Sequence, residues 1–234
     1  MTTARVAGLL YLLTGLAAVF GLQYVPRTLI VTGDAAATAD HVRSAELLFR
    51  LGIASELISA TGFIFLALAL YRLFESVDRG QASLMVVLVL VSVPISFLAV
   101  VSELGALTVL SGADFLSVLG GPQREALALV FVRTHGQTLL VNEIFWGLWL
   151  VPLGVLVMRS GFAPRVIGAL LILAGAAYIV ITSVSILLPD FATVVSTIAA
   201  LPQAAGEVSM IVWLLTTRAG ANAPASSATI RARA

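Results

Sequence analysis

Apolar residues run along this chain in six long blocks separated by short polar segments. The blocks cover residues 4–23, 51–71, 82–110, 137–158, 166–188 and about 202–217. An α-helix rises 1.5 Å per residue, so about twenty residues cross a hydrocarbon core about 30 Å thick. None of the blocks alternates with the period of two of a lipid-facing barrel strand. Backbone groups inside lipid must be paired within their own segment, which makes each block a helix. The pattern therefore predicts an all-α polytopic membrane protein, a six-transmembrane-helix bundle. Only residues 159–165 separate the fourth and fifth blocks, so these two form a tight antiparallel hairpin.

The polar punctuation adds detail. Asp34 or Thr38 is suited to cap a helix running through Val42, Ala45 and Phe49 into the second span. Pro122, after Gly121, is suited to the first turn of a helix that continues into the fourth span. Pro94 and Pro152 are expected to kink the third and fourth spans. The domain reading is residues 1–218 as the transmembrane bundle and 219–234 as a disordered cytoplasmic tail of Ala, Ser, Pro and Arg. The first block, with Arg5 ahead of the stretch from Val6 to Phe20, also has the outline of a signal peptide. No A-x-A-like cleavage site follows, and its removal would leave an odd number of spans, so it is expected to be retained.

Composition agrees with a lipid-solvated chain. Of 234 residues, 60% are apolar and 11% are charged. Soluble domains are about 45–50% apolar and about 25% charged, so a lipid bilayer is the expected partner. The chain has no cysteine and no lysine. Thiol nucleophiles, disulfides and Schiff-base chemistry are therefore excluded. A net charge of +1 gives no reason to expect a nucleic-acid partner. The arginines set a direction: Arg5, Arg72, Arg79, Arg159, Arg165, Arg218, Arg231 and Arg233 share one side, mostly in short loops. Arg27, Arg43, Arg50, Arg124 and Arg133 share the other, in loops with comparable numbers of acids. The first side reads as the cytoplasm, with both termini inside.

Four glutamates, Glu56, Glu103, Glu143 and Glu207, remain inside the spans, where ionisable groups are costly and face the bundle interior or a wet cavity. Glu143 precedes Arg159 by the same interval as Glu56 precedes Arg72. That interval places both about 24 Å from the inner boundary at 1.5 Å per residue. All four lie in the outer half. Ser92 and Ser96 share a stripe with Glu103; His135, Thr138 and Asn142 share a face at the head of the fourth span. Gln203 and Glu207 are an i, i+4 pair, and Tyr178, Thr182 and Ser185 line the fifth span. Arg27, Arg50 and Arg133 are placed to supply counter-charge. Together these residues predict an outward-facing polar, acidic cavity with Glu56, Glu103, Glu143, Glu207, His135, Asn142, Arg50, Arg133 and Trp146 as ligand-binding candidates. The alternatives are plain: glutamates also act as interhelical glue, Trp146, Trp149 and Trp213 also serve as packing or interfacial residues, and His41 reads as solvated. Two histidines make a poor zinc set, so no metal ligands are assigned, although glutamate-rich sites for harder metals stay open.

There are hints of an internal repeat. Arg5-Val6-x-Gly8 with Gly15 aligns with Arg165-Val166-x-Gly168 with Gly175, and each inward-going span carries an early glutamate and a terminal arginine. Three related helical hairpins explain this, as does chance alignment of Ala/Leu/Gly-rich helices. In each aligned pair the glycines sit two turns apart, where small residues allow helices to approach closely.

The run Asn142-Glu143-Ile144-Phe145-Trp146-Gly147-Leu148-Trp149-Leu150-x-Pro152-Leu153-Gly154 resembles the signature of a bacterial integral-membrane family, the domain-of-unknown-function family 4386. Leu48-Phe49-Arg50-x-Gly52-Ile53, Ile167-Gly168-x-Leu170-Leu171 and Gly206-Glu207 with Trp213-Leu214-Leu215 are similar to its other blocks. The resemblance spans about Ala4 to Thr217. It implies a six-span bacterial plasma-membrane protein and no particular activity or cofactor. The residues themselves favour binding or transport of a small or lipid-like ligand. An intramembrane enzyme using carboxylates as general acid or base on a lipophilic substrate, and a structural accessory protein, are the other two readings. No G-x-S-x-G elbow is present.

Overall fold

The computed structural model describes residues 2–217, and within them the chain is helical, with no strand. Six helices are long and apolar enough to cross a membrane: Thr3–Leu29, Glu46–Phe74, Arg79–Leu110, Gly121–Arg159, Arg165–Leu187 and Pro189–Thr216. They are the first to sixth spans below. Each packs against the next in sequence, and the sixth returns to the first, so the bundle closes as a six-helix ring. The expected tail, 219–234, lies outside the described residues.

Most helices run past the hydrophobic blocks. The second span starts at Glu46 and the fourth at Gly121, with Pro122 in its first turn. Hydropathy misses these turns because they carry Arg124, Glu125 and Arg133, yet the backbone ladder continues through them. The sixth span also begins earlier than Pro202, which lies inside the helix. Proline there removes one N–H, a loss that membrane helices tolerate. Pro152 interrupts the fourth span at Trp149, whereas Pro94 sits in an unbroken third helix. The first span carries a π-helical stretch, Phe20–Tyr24, just ahead of Pro26.

The helix after the first span is separate from the second span rather than continuous with it. Asp34 caps Ala35–Ser44, accepting from the Ala37 N–H at 2.9 Å. Thr38, buried, ties the cap to Val31. Ala45 leaves helical geometry (φ −125°, ψ 40°) and turns the chain into the second span. Arg43 then reaches Glu125 of the fourth span at 3.2 Å. At the opposite end Asp78 caps the third span through the Gln81 N–H and pairs with Arg159 at 2.7 Å. The Gln81 bond, and after it Arg159, hold the Asp78 carboxyl below its ordinary range.

Lipid tails are as apolar as leucine, so close packing holds such bundles together more than a hydrophobic drive between helices does. Here the fourth and fifth spans touch through glycines. A methyl group at Gly154 would lie 2.6 Å from the Gly168 carbonyl oxygen, and one at Gly175 would lie 2.6 Å from that of Gly147. Gly8 meets Leu214 of the sixth span in similar fashion, but Gly15 faces open space. The aligned glycines of the first and fifth spans thus do different things. Three apolar clusters result among the described residues, the smallest being Ala106, Val109, Ala128 and Val132 between the third and fourth spans. Of the two larger cores, one holds Tyr11, Ala60, Leu70, Met85, Val93, Leu153, Leu171 and Met210; the other holds Val25, Val42, Phe49, Ile53, Val100 and Leu107. Glu56 falls between Ile53 and Ala60 on the second span, and Ser96 between Val93 and Val100 on the third, so polar groups mark the seam between the cores.

Candidate functional site

The second, third and fourth spans bring Glu56, Glu103 and His135 together. His135 Nε2 lies 2.9 Å from Glu56 Oε2 and 3.9 Å from Glu103 Oε2. One ligand atom from each residue falls within 4.8 Å of the others. Burial is almost complete: Glu56 is 6%, Glu103 5% and His135 5% exposed. With Glu56 ionised, the imidazole donates its Nε2 proton to it, since a carboxylate only accepts. Two oxygens of the cluster, Glu56 Oε1 and Glu103 Oε2, are buried with no hydrogen-bond partner. Such atoms are rare in folded proteins and mark strain, catalysis or an absent occupant.

The first span leaves room for this cluster. A methyl group on Gly21, within the π-helical stretch, would sit 2.7 Å from Glu56 Cγ and 3.0 Å from the Gly52 carbonyl oxygen. Glycine is therefore what lets the first span cover Glu56. π-Helical turns are often found at functional sites. Deeper along the same seam, Asn142 Nδ2 donates to Ser96 Oγ at 2.9 Å. Asn142 Oδ1 and Ser92 Oγ are buried and unpartnered.

The other two glutamates lie elsewhere. Glu207 accepts from Tyr178 at 2.8 Å and from Tyr11 at 3.0 Å, joining the sixth, fifth and first spans. Aromatic rings buttress these tyrosines: Trp149 packs on Tyr11 and Phe63, and Trp146 meets Tyr178 edge-on at 6.4 Å. Glu143 is half-buried and borders an open groove of about 480 Å³, shared with Arg133, Gly136, Gln137, Leu139 and Leu140. The four carboxylates thus occupy three environments. The three early glutamates of the repeat pattern are likewise unlike one another: one meets histidine, one a groove and one a pair of tyrosines.

The arginines stay at the surface. Arg50 is exposed and pairs with Glu46 at 2.7 Å, one turn back on its own helix. Arg133 is exposed and has no ion pair among the described residues. A guanidinium on an outward helix face reaches polar surroundings along its flexible stem at little cost and has no need to enter the bundle. His135, on the interior face, is the basic group that the carboxylates meet. Tyr11 escaped the sequence reading. A hydroxyl in the apolar first span, with Thr14 three residues on, was its only signal, and its partner Glu207 lies 196 residues away.

No curated protein and no solved structure matches the chain. A family profile described as a domain of unknown function, DUF4386, matches residues 6–217. That match runs through all six spans and both buried clusters, and the chain belongs to the DUF4386 family.

Proposed function

We propose that this membrane protein binds, and in its working cycle transports, a small ligand held at Glu56, Glu103 and His135. One observation carries the reading: one carboxylate oxygen of Glu56 and one of Glu103 lie buried with no hydrogen-bond partner, at a cluster that also holds an imidazole. Desolvating such groups costs several kcal/mol unless something pairs with them. A purely structural glue would be expected to close its own hydrogen bonds, as Glu207 does with two tyrosines. The groove bordered by Arg133, Gln137 and Glu143 opens on the outer face of the fourth span, the face turned away from His135. Asn142 and Trp146 lie further along the same span. Arg50 and Arg133 act at the rim, guiding ligand rather than neutralising the buried carboxylates. We further propose that the protein resides in a bacterial plasma membrane with its termini cytoplasmic, following the arginine bias of the short loops.

The test is native mass spectrometry of the full chain, wild type against the Glu56→Gln/Glu103→Gln double variant. A bound mass present in wild type and missing from the variant is expected. Equal occupancy in both, with both monodisperse, would sink the reading.

A further inference from the structure

The Glu56–Glu103–His135 cluster has the chemistry of a metal centre. It offers one imidazole nitrogen and two carboxylate oxygens from three separate helices, all within 4.8 Å of one another. Three protein ligands with a further position left open are characteristic of working metal sites. A second observation is independent of that spacing: Glu56 Oε1 and Glu103 Oε2 are buried and unpartnered. Glu103 Oε2 is also the oxygen that lies 3.9 Å from the imidazole, too far for a hydrogen bond, so it faces into the cluster without being satisfied there.

Charge points the same way. Deprotonated as metal ligands, the two carboxylates would carry two negative charges into the bundle interior, and among the described residues no arginine pairs with them. A divalent ion cancels both and leaves the histidine neutral, the form in which it is a ligand. The donor set narrows the choice of ion. Magnesium and calcium take oxygen ligands, so an imidazole is a poor fit. Copper(I) prefers sulfur, and the chain has no cysteine. Imidazole with carboxylate suits the first-row divalent ions from manganese to zinc. We infer that Glu56, Glu103 and His135 form an intramembrane site for such an ion. The inference rests on the binding reading above and names the ligand class for it. Ligand atoms about 2.1 Å from one ion lie at most about 4.2 Å apart. The imidazole's separations from Glu56 and Glu103, 2.9 and 3.9 Å, already lie inside that span, so binding requires His135 Nε2 to turn from Glu56 toward the ion.

Cobalt(II) is the probe. The full chain, purified in detergent and stripped with chelator, is titrated with Co²⁺ and followed by visible absorption, with Zn²⁺ as competitor. About one equivalent per chain with ligand-field bands that Zn²⁺ abolishes is the expected result. Glu103→Gln and His135→Asn should each weaken cobalt binding by at least about tenfold, the loss seen even for residues one shell beyond a metal. Glu207→Gln, which leaves all three ligands in place, should bind as wild type does. Wild type without cobalt bands overturns the inference whether or not any variant folds. Unchanged affinity in folded Glu103→Gln and His135→Asn overturns it as well. If cobalt fails while native mass spectrometry still finds a small molecule lost from the double variant, the metal is wrong and the binding reading stands.

Discussion

Two residues of the same type carry different burdens in this protein. Glu56 meets one nitrogen and keeps an oxygen unpaired, whereas Glu207 has each oxygen served by a tyrosine hydroxyl. Only the first arrangement has unspent bonding capacity, which is why function is placed there and structure at Glu207. The distinction can be measured. Tyr11→Phe and Tyr178→Phe should each cost about 1 kcal/mol of stability in detergent, the usual range for an interhelical hydrogen bond in a membrane. The double variant should cost more than the sum, because Glu207 then has no donor left and its full desolvation penalty appears. Strictly additive losses in a thermal melt would contradict this account. Neither single variant should alter cobalt binding.

At the scale of elements, the close seam is between the fourth and fifth spans. Gly154→Ala places a methyl group 2.6 Å from the Gly168 carbonyl oxygen and 2.7 Å from Ile172 Cγ1. Backbone cannot yield there, so the change should destabilise by about 1–3 kcal/mol, the cost of overpacking. Gly15→Ala, facing open space, should leave the melting temperature unchanged or slightly raised through better helix propensity. Equal behaviour of the two would remove the argument for a glycine seam. These elements were readable in the sequence to different depths. The six spans follow from apolar runs alone, and Asp34 and Pro122 marked real helix starts. The ends were less legible, because in the helical turns from Gly121 to Gly136 the apolar run 126–132 is short and bracketed by Arg124, Glu125 and Arg133. Ala45 offered no breaker signal, although it ends one helix and begins another. At the site, Glu56, Glu103 and His135 were each conspicuous as polar residues in apolar spans. That they meet, and that Glu143 and Glu207 do not join them, depends on how far each helix is turned about its axis. A single sequence fixes that angle within a helix and leaves it open between helices.

For the whole molecule, orientation remains the first practical question, and the composition makes it easy to answer. The chain lacks cysteine, so a single introduced thiol reports its own position with no background. Ser117→Cys lies in the long loop before the fourth span and Ser76→Cys in the short turn before the third, both exposed. With cytoplasmic termini, a membrane-impermeant maleimide should label Ser117→Cys in intact bacterial cells and Ser76→Cys only after permeabilisation. The opposite pattern would invert the proposed topology. The glycine seam also limits how this ring opens. Gly147 and His135 share the uninterrupted helix Gly121–Leu148, and Gly147 is locked against Gly175. The fourth and fifth spans are therefore expected to move together, as one leaf that carries the imidazole. Glu56 and Glu103 face it from the second and third spans. Any motion that parts the leaf from those spans pulls histidine and carboxylates apart together. An occupant that bridges all three would act as a latch, holding the ring shut for as long as it stays.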